Sequence, residues 1–168
     1  MTIKANGKSK TPRECWMHRR QREFSRYTIG LAGTPVSYVE IGCWAGASAE
    51  WVCRKILTHP DSRGVGIDPY IAVREHPQDE MDQHEAEAKR LIASTFVRWD
   101  WLRTTSHEAA GAAIESLAGW PRRIDLLYID GCHDADAVLM DLCLFWKALI
   151  PGSVVVFDDY GQRRRARQ

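Results

Sequence analysis

VSYVEIGCWAGASAEW, residues 36–51, carries the pattern from which the rest of the fold can be worked out. Val36 to Ile41 is a short apolar run with the character of a buried strand. It runs into Gly42-Cys43-Trp44-Ala45-Gly46, and a helix-forming segment begins at Ala47. Strand, glycine turn and helix together are how an α/β sheet cradles a ligand. The glycines let the backbone turn sharply and lie close to it, and the helix N-terminus offers unpaired N–H groups.

What the loop lacks narrows the ligand. A dinucleotide-binding turn spells G-x-G-x-x-G, and its middle glycine permits contact with a pyrophosphate. Two residues after Gly42 this chain has Trp44, and Glu40, just before the loop, would repel a phosphate. The same carboxylate suits a ligand with an ammonium group. The reading therefore turns from a nicotinamide dinucleotide to an amino-acid-bearing nucleoside.

Working outward, Ser48 to Leu57 reads as a helix ended by His59-Pro60-Asp61. Gly64 to Ile67 is a second strand closed by Asp68-Pro69. Asp68 lies 22 residues beyond Gly46, about where a doubly wound fold places its ribose-binding acid. A strand-end Asp before proline is also turn chemistry, and the spacing to the glycine loop favours the ribose. Gln78 to Ser94 is a helix with acids early and Lys89 and Arg90 late, as the macrodipole prefers. His84, at helical spacing from Glu80 and Glu87, reads as part of an acidic solvated face rather than a metal pair.

Thr95 to Trp99 is the third strand, which puts Asp100 at its end, within reach of an adenine amine. Thr105 and Glu108 form a capping box for a helix running to about Leu117, with Ala109 and Ala113 inward and His107 on the surface. Ile124 to Ile129 is the fourth strand and ends in Asp130-Gly131-Cys132-His133. Val138, Leu142, Phe145 and Leu149 then make an apolar helical stripe. After Pro151-Gly152, Val154 to Phe157 is a fifth strand that runs into Asp158-Asp159-Tyr160.

Strands and helices alternate, which implies a doubly wound, Rossmann-like, mostly parallel sheet with ligands at the carboxyl ends of its strands. Glu40, Asp68, Asp100, Asp130 and Asp158 all fall at such ends in this reading. Asp130, Asp158 and Asp159, on neighbouring strands, would repel one another unless a positive group lay between them. An all-oxygen set suits a hard ion such as Mg²⁺, with Mn²⁺ or Ca²⁺ as alternatives, or else the acids cap helices or hold the cofactor without metal. Such an ion could hold two vicinal hydroxyls and lower the pKa of one. His133, three residues past Asp130, is the candidate general base, so Asp130 and His133 form the candidate catalytic pair.

Two segments carry a family resemblance. Glu40-Ile41-Gly42-Cys43-Trp44-Ala45-Gly46-Ala47-Ser48 resembles the E-x-G-x-x-x-G-x-S first motif of class I S-adenosylmethionine-dependent methyltransferases. Residues 124–160 are similar to the D-G-x-H … P-G-G … D-D-Y segment of methyltransferase family 24, whose members include sugar O-methyltransferases. With GVGIDPY, the resemblance covers about residues 36–160. It implies strand order 3-2-1-4-5 and S-adenosylmethionine held by Glu40, Gly42, Gly46, Ser48 and Asp68. It also implies Mg²⁺ on Asp130, Asp158 and Asp159, and methyl transfer to a hydroxyl of a small-molecule acceptor, a sugar or another vicinal diol.

The chain departs from the pattern in three places. Cys132 stands where relatives often have an acid, which leaves the base to His133. Ser153 replaces the second glycine of P-G-G. After Tyr160 the chain has only GQRRRARQ, where the class I fold continues into a helix and an antiparallel strand pair. That sets two further expectations. One is a truncated, catalytically inactive S-adenosylmethionine-binding module; the other is a homodimer paired through the apolar edge strand 154–157.

At 168 residues, 45% hydrophobic and 27% charged, the chain reads as one domain, 11–160, between a disordered basic N-terminus, 1–10, and a basic tail, 161–168. No apolar run approaches the roughly 20 residues of a membrane helix. The N-terminus lacks a signal-peptide core, so the expectation is a cytoplasmic protein with no membrane partner. Five cysteines without a CxxC spacing indicate neither a disulfide framework nor zinc. Residues 1–30 hold eight Lys or Arg against two Glu, and 163–167 add four Arg to an otherwise acidic body. Basic ends admit a nucleic-acid methyltransferase as a third reading. They are more simply solvated termini, and no N-P-P-Y-like motif is present.

Overall fold

A computed structural model describes residues 21–73, 76–116 and 123–158. Five parallel strands, β1 (Ser37–Ile41), β2 (Arg63–Ile67), β3 (Arg98–Leu102), β4 (Ile124–Ile129) and β5 (Leu149–Phe157), form one sheet in the order β3-β2-β1-β4-β5. This is the doubly wound order implied by the sequence. Helix α1 covers residues 21–28. It is followed by α2 (Ala47–Lys55), α3 (Gln78–Ala93), α4 (Ser106–Ser116) and α5 (Ala135–Phe145). Residues 1–20 and 159–168, including Asp159, Tyr160 and most of the two basic ends, lie outside the described residues. Among the described residues, no helix is long and apolar enough to cross a membrane.

The central strands are buried on both faces because helices cover both. Every residue of β1 and β4 is buried. Tyr38, Leu126 and Tyr128 pack with Phe24 of α1, with Val52 and Cys53 of α2 and with Ile56 just beyond it. On the opposite face Val39, Val65, Ile67 and Leu127 pack with Ala109 and Ala113 of α4 and Phe145 of α5. Each fully buried Leu, Ile or Phe contributes roughly 1.5–3 kcal/mol, so two such layers give the sheet edge a rigid base. The apolar stripe on α5 is realised, with Phe145 buried and Val138 and Leu142 packed against the same cluster.

The third strand differs from the sequence expectation: it is Arg98–Leu102, three residues later than Thr95–Trp99. The cause is a fit between two strands. Gly64 pairs with Trp99 and Gly66 with Trp101. A Cβ on Gly64 would stand 2.2 Å from the Trp99 ring, and one on Gly66 would stand 2.8 Å from the Trp101 ring. The two glycines leave room for the two indoles, and this pairing carries the strand on to Leu102.

The fifth strand is also longer than Val154–Phe157. Its pairing shifts between Ile124 and Leu126, leaving residues 150–153 as an irregular step. Ser153 closes that step: its hydroxyl accepts the Ile150 N–H at 2.8 Å and donates to the Ile124 carbonyl at 2.6 Å. The serine that replaces a glycine here is thus a structural element in its own right.

Candidate functional site

At the carboxyl edge of the sheet lies a cavity of about 910 Å³. Ile41 to Ala45, Ala47 and Ser48 line one side, and Asp68, Pro69, Ile71 and Val73 contribute beyond the end of β2. Thr105 to His107 line it at the start of α4, and Asp130 to His133 with Asp158 line it at the ends of β4 and β5. Four carboxyl groups, Asp68, Asp130, Asp141 and Asp158, reach its wall, and no Lys or Arg is among its described lining residues. Such a wall favours a cationic ligand over a phosphate.

The glycine loop is held from three directions. Gly42 has φ +84° and donates its N–H to the Ile67 carbonyl at 2.8 Å. A Cβ at Gly42 would lie 2.1 Å from the Asp130 carbonyl oxygen, so only glycine fits. Asp68 is 8% exposed. Its Oδ2 accepts the backbone N–H groups of Cys43 and Trp44 at 2.9 and 3.0 Å, and its Oδ1 accepts that of Tyr70 at 2.9 Å. Asp68 therefore shapes the loop as well as facing the cavity.

Three residues expected to contact the ligand lie off the cavity wall. Glu40 is 0% exposed and is absent from the cavity wall. It sits on the face of β1 covered by α2, where its Oε2 accepts the Tyr38 hydroxyl at 2.8 Å and its Oε1 accepts the Ser48 hydroxyl. Burial pushes its carboxyl up to about 8, and its two hydrogen bonds keep it enclosed beneath α2. Ser48, which does line the cavity, stands between Glu40 and any ligand.

Gly46 also stays off the wall. It has φ +79° and caps α2, and a Cβ there would meet Ala88 of α3 at 2.7 Å, so it serves helix packing. Asp100 sits in the middle of β3, paired with Val65, and does not line the cavity. The later register of β3 puts Leu102, not Asp100, level with the end of β2.

At the other end, Asp130 accepts the Tyr128 hydroxyl at 3.1 Å, and His133 Nε2 lies 3.5 Å from Asp130 Oδ1. Burial pushes the Asp130 carboxyl up to about 6; His133 opposes that shift and the charge of nearby Asp158 adds to it. The Asp158 backbone N–H bonds the Ile129 carbonyl at 3.0 Å, which seats its side chain beside Asp130. Asp159, the third acid of the expected Mg²⁺ set, is outside the described residues. Among the described residues no group of three His, Cys, Asp or Glu is arranged to hold a metal ion, and Asp130 with Asp158 alone do not make a complete site.

Trp44 does not fill the cavity. Its backbone is left-handed, φ +46°, and its ring leans outward against His76 and His84, with centroids 4.6 and 4.2 Å away. Both histidines contact Glu80, His76 Nδ1 at 3.0 Å and His84 Nε2 at 3.4 Å. His84 is thus packed against the tip of the glycine loop, partly buried, and not on an open solvated face.

The capping box at α4 is formed: Glu108 Oε2 accepts the Thr105 N–H and hydroxyl, and the Glu108 N–H bonds Thr105 Oγ1. His107 is exposed, as expected, but at the cavity mouth. Two polar lining residues escaped the sequence reading, Ser106 and Asp141. A signal was available for Asp141: it lies three residues after Val138 and four before Phe145, on the inward side of α5.

Comparisons with known proteins agree with this architecture. A family model described as a methyltransferase domain matches residues 39–160. Uncharacterized protein R132 of Acanthamoeba polyphaga mimivirus is 30% identical over 135 residues, 79% of this chain and 55% of that protein. The crystal structure of CalS11, a calicheamicin methyltransferase, aligns with a TM-score of 0.54 at 18% identity, over 85% of this chain and 63% of that one. At that identity the likeness is one of fold. The chain spans about half the length of the curated relative it matches, and under two thirds of the solved structure.

Proposed function

The chain belongs to the methyltransferase-domain family matched over residues 39–160, and from that premise we propose that it binds S-adenosylmethionine and methylates a hydroxyl of a small molecule. The observation that carries this reading is the shared cavity: the glycine loop and Asp68 open into the same space as Asp130 and His133. The acid-lined wall without Lys or Arg suits a ligand whose reactive centre is a sulfonium and whose tail carries an ammonium. Gly42, Ser48 and Asp68 would hold it, with the backbone of Cys43 to Ala45 along its length.

When bound, S-adenosylmethionine supplies an electrophilic methyl group that moves to an oxygen nucleophile as the sulfonium becomes a neutral thioether. The residues of the chain do the rest. Asp68 keeps the loop in one conformation, so the donor side of the cavity is formed in advance. His133 takes the acceptor's hydroxyl proton on its imidazole, and Asp130 orients the ring and stabilises the imidazolium that results. Asp130 and Asp158, side by side, also offer acceptors to neighbouring hydroxyls, which supports a sugar or other vicinal diol as the acceptor class. Asp130 and Asp158 could supply two ligands to Mg²⁺, and Asp159 would have to supply a third.

The experiment is transfer of labelled methyl from S-adenosylmethionine to a panel of sugars, catechols and simple alcohols. The reading expects methyl ether formation on at least one diol. Donor binding without transfer to any hydroxylated compound would leave only a binding module, and transfer to RNA or DNA would replace the acceptor class.

A further inference from the structure

Between the starts of α4 and the middle of α5 the cavity has a polar pair that neither the glycine loop nor Asp130 and His133 uses. Asp141 is 3% exposed on the inward side of α5, next to the otherwise apolar stripe of Val138, Leu142 and Phe145. Its Oδ1 accepts the hydroxyl of Ser106, the first residue of α4. Its Oδ2 has no hydrogen bond among the described residues and lies toward Gly131, 3.9 Å from where a Cβ would stand there. Both Ser106 and Asp141 line the cavity.

A purely structural role accounts poorly for this carboxyl. Partial burial already raises the pKa of this carboxyl, and an apolar side chain would suit its neighbours on the α5 stripe better. The end of α4 does not need it, because Thr105 and Glu108 already cap that terminus. An acceptor aimed into a binding cavity is what a ligand N–H requires.

Strand order shows which part of the ligand arrives there. A nucleoside with its amino-acid end at the β1 loop and its ribose at Asp68 runs from β1 to β2. Its base then continues toward the turn after β3, where Thr105 to His107 line the wall. We propose that Asp141 Oδ2 accepts the exocyclic amine of the donor's adenine, with Ser106 as the positioning residue that turns this oxygen into the cavity. Asp141 thereby takes the part that the sequence had suggested for Asp100. The inference rests on the S-adenosylmethionine reading and names the residue that selects its base.

A 6-oxopurine would present a carbonyl to the same carboxylate and be repelled, so base preference reads the contact directly. The test is calorimetric binding of S-adenosylhomocysteine and S-inosylhomocysteine to the whole chain and to Asp141→Asn, which keeps the shape and can donate to a carbonyl. The wild-type chain should prefer the adenine compound by about a hundredfold, and Asp141→Asn should bring the two within about threefold or reverse them. Retention of the wild-type preference in Asp141→Asn overturns the inference while leaving the donor reading intact. Binding of neither compound by the wild-type chain overturns both. Should Asp141→Asn not fold, Ser106→Ala carries the same comparison: the preference should fall at least threefold, and an unchanged preference overturns the inference.

Discussion

Asp68 and Trp44 are joined by a hydrogen bond of 3.0 Å from the Trp44 backbone N–H to the Asp68 carboxylate. Two residues on, the Tyr70 hydroxyl donates to the Trp44 carbonyl at 2.9 Å. The left-handed peptide at the tip of the glycine loop is therefore fixed on both sides by the exit of the neighbouring strand. The ligand-facing loop of β1 is, in structural terms, a product of β2.

Removing that acceptor should be costly. Asp68→Ala leaves three backbone N–H groups, those of Cys43, Trp44 and Tyr70, without their shared partner. We expect a loss of about 2–4 kcal/mol in urea unfolding and donor affinity reduced by at least a hundredfold. An unchanged unfolding midpoint would show that the loop holds its shape by other means.

Glu40 should give the fold an unusual pH dependence. Its carboxyl, ordinarily near 4.5, is pushed up to about 8 by burial. The native chain thus keeps a proton that the unfolded chain releases between these values. This group's stabilisation is complete below pH 4.5 and is lost as pH rises through 8. Glu40→Gln should abolish the decline, a difference on the order of 3 kcal/mol between pH 5.5 and 8.5. Parallel unfolding curves for the two proteins would mean that Glu40 is ionised in the native state. The same variant should lose little donor affinity, since the carboxyl is off the cavity wall.

The glycine–tryptophan fit between β2 and β3 is open to a double-mutant cycle. Gly64→Ala places a methyl within 2.2 Å of the Trp99 ring and should cost about 2–4 kcal/mol. Combined with Trp99→Val it should cost at least ~1 kcal/mol less than the sum of the two single changes. Simple additivity would contradict the register described.

His133 and Asp130 should act on the chemical step and not on donor capture. His133→Ala should lower kcat by about 10²–10⁴-fold with donor affinity changed less than about threefold. The Asp130 carboxyl, pushed up to about 6 by burial, takes a proton below that pH and ceases to orient the imidazole. The rate should accordingly fall as pH drops through 6. A variant losing donor binding and rate together would assign His133 to the donor instead.

Much of this fold is legible in local patterns. Ile124 to Ile129 is a strand to the residue because a run of apolar side chains buried on both faces admits little else. The capping box at Thr105 and the stripe on α5 follow from spacing alone. What escaped depends on contacts between distant segments. Asp100 looks terminal until Trp101 is seen to settle over Gly66, 35 residues away. Glu40 looks like a ligand contact until the pleat of β1 turns it under α2 toward Ser48. Asp141 was hidden by its own chemistry: an acid in an apolar stripe reads as an interruption, although its position is inward.

The space between the glycine loop and Asp130 should take a sulfonium nucleoside. The measurement is calorimetry of the chain with S-adenosylmethionine and with NAD⁺, with Asp68→Ala as the control for location. The prediction is one S-adenosylmethionine bound per chain, no NAD⁺, and loss of the signal in Asp68→Ala. NAD⁺ binding, or S-adenosylmethionine bound equally well by the variant, would contradict it.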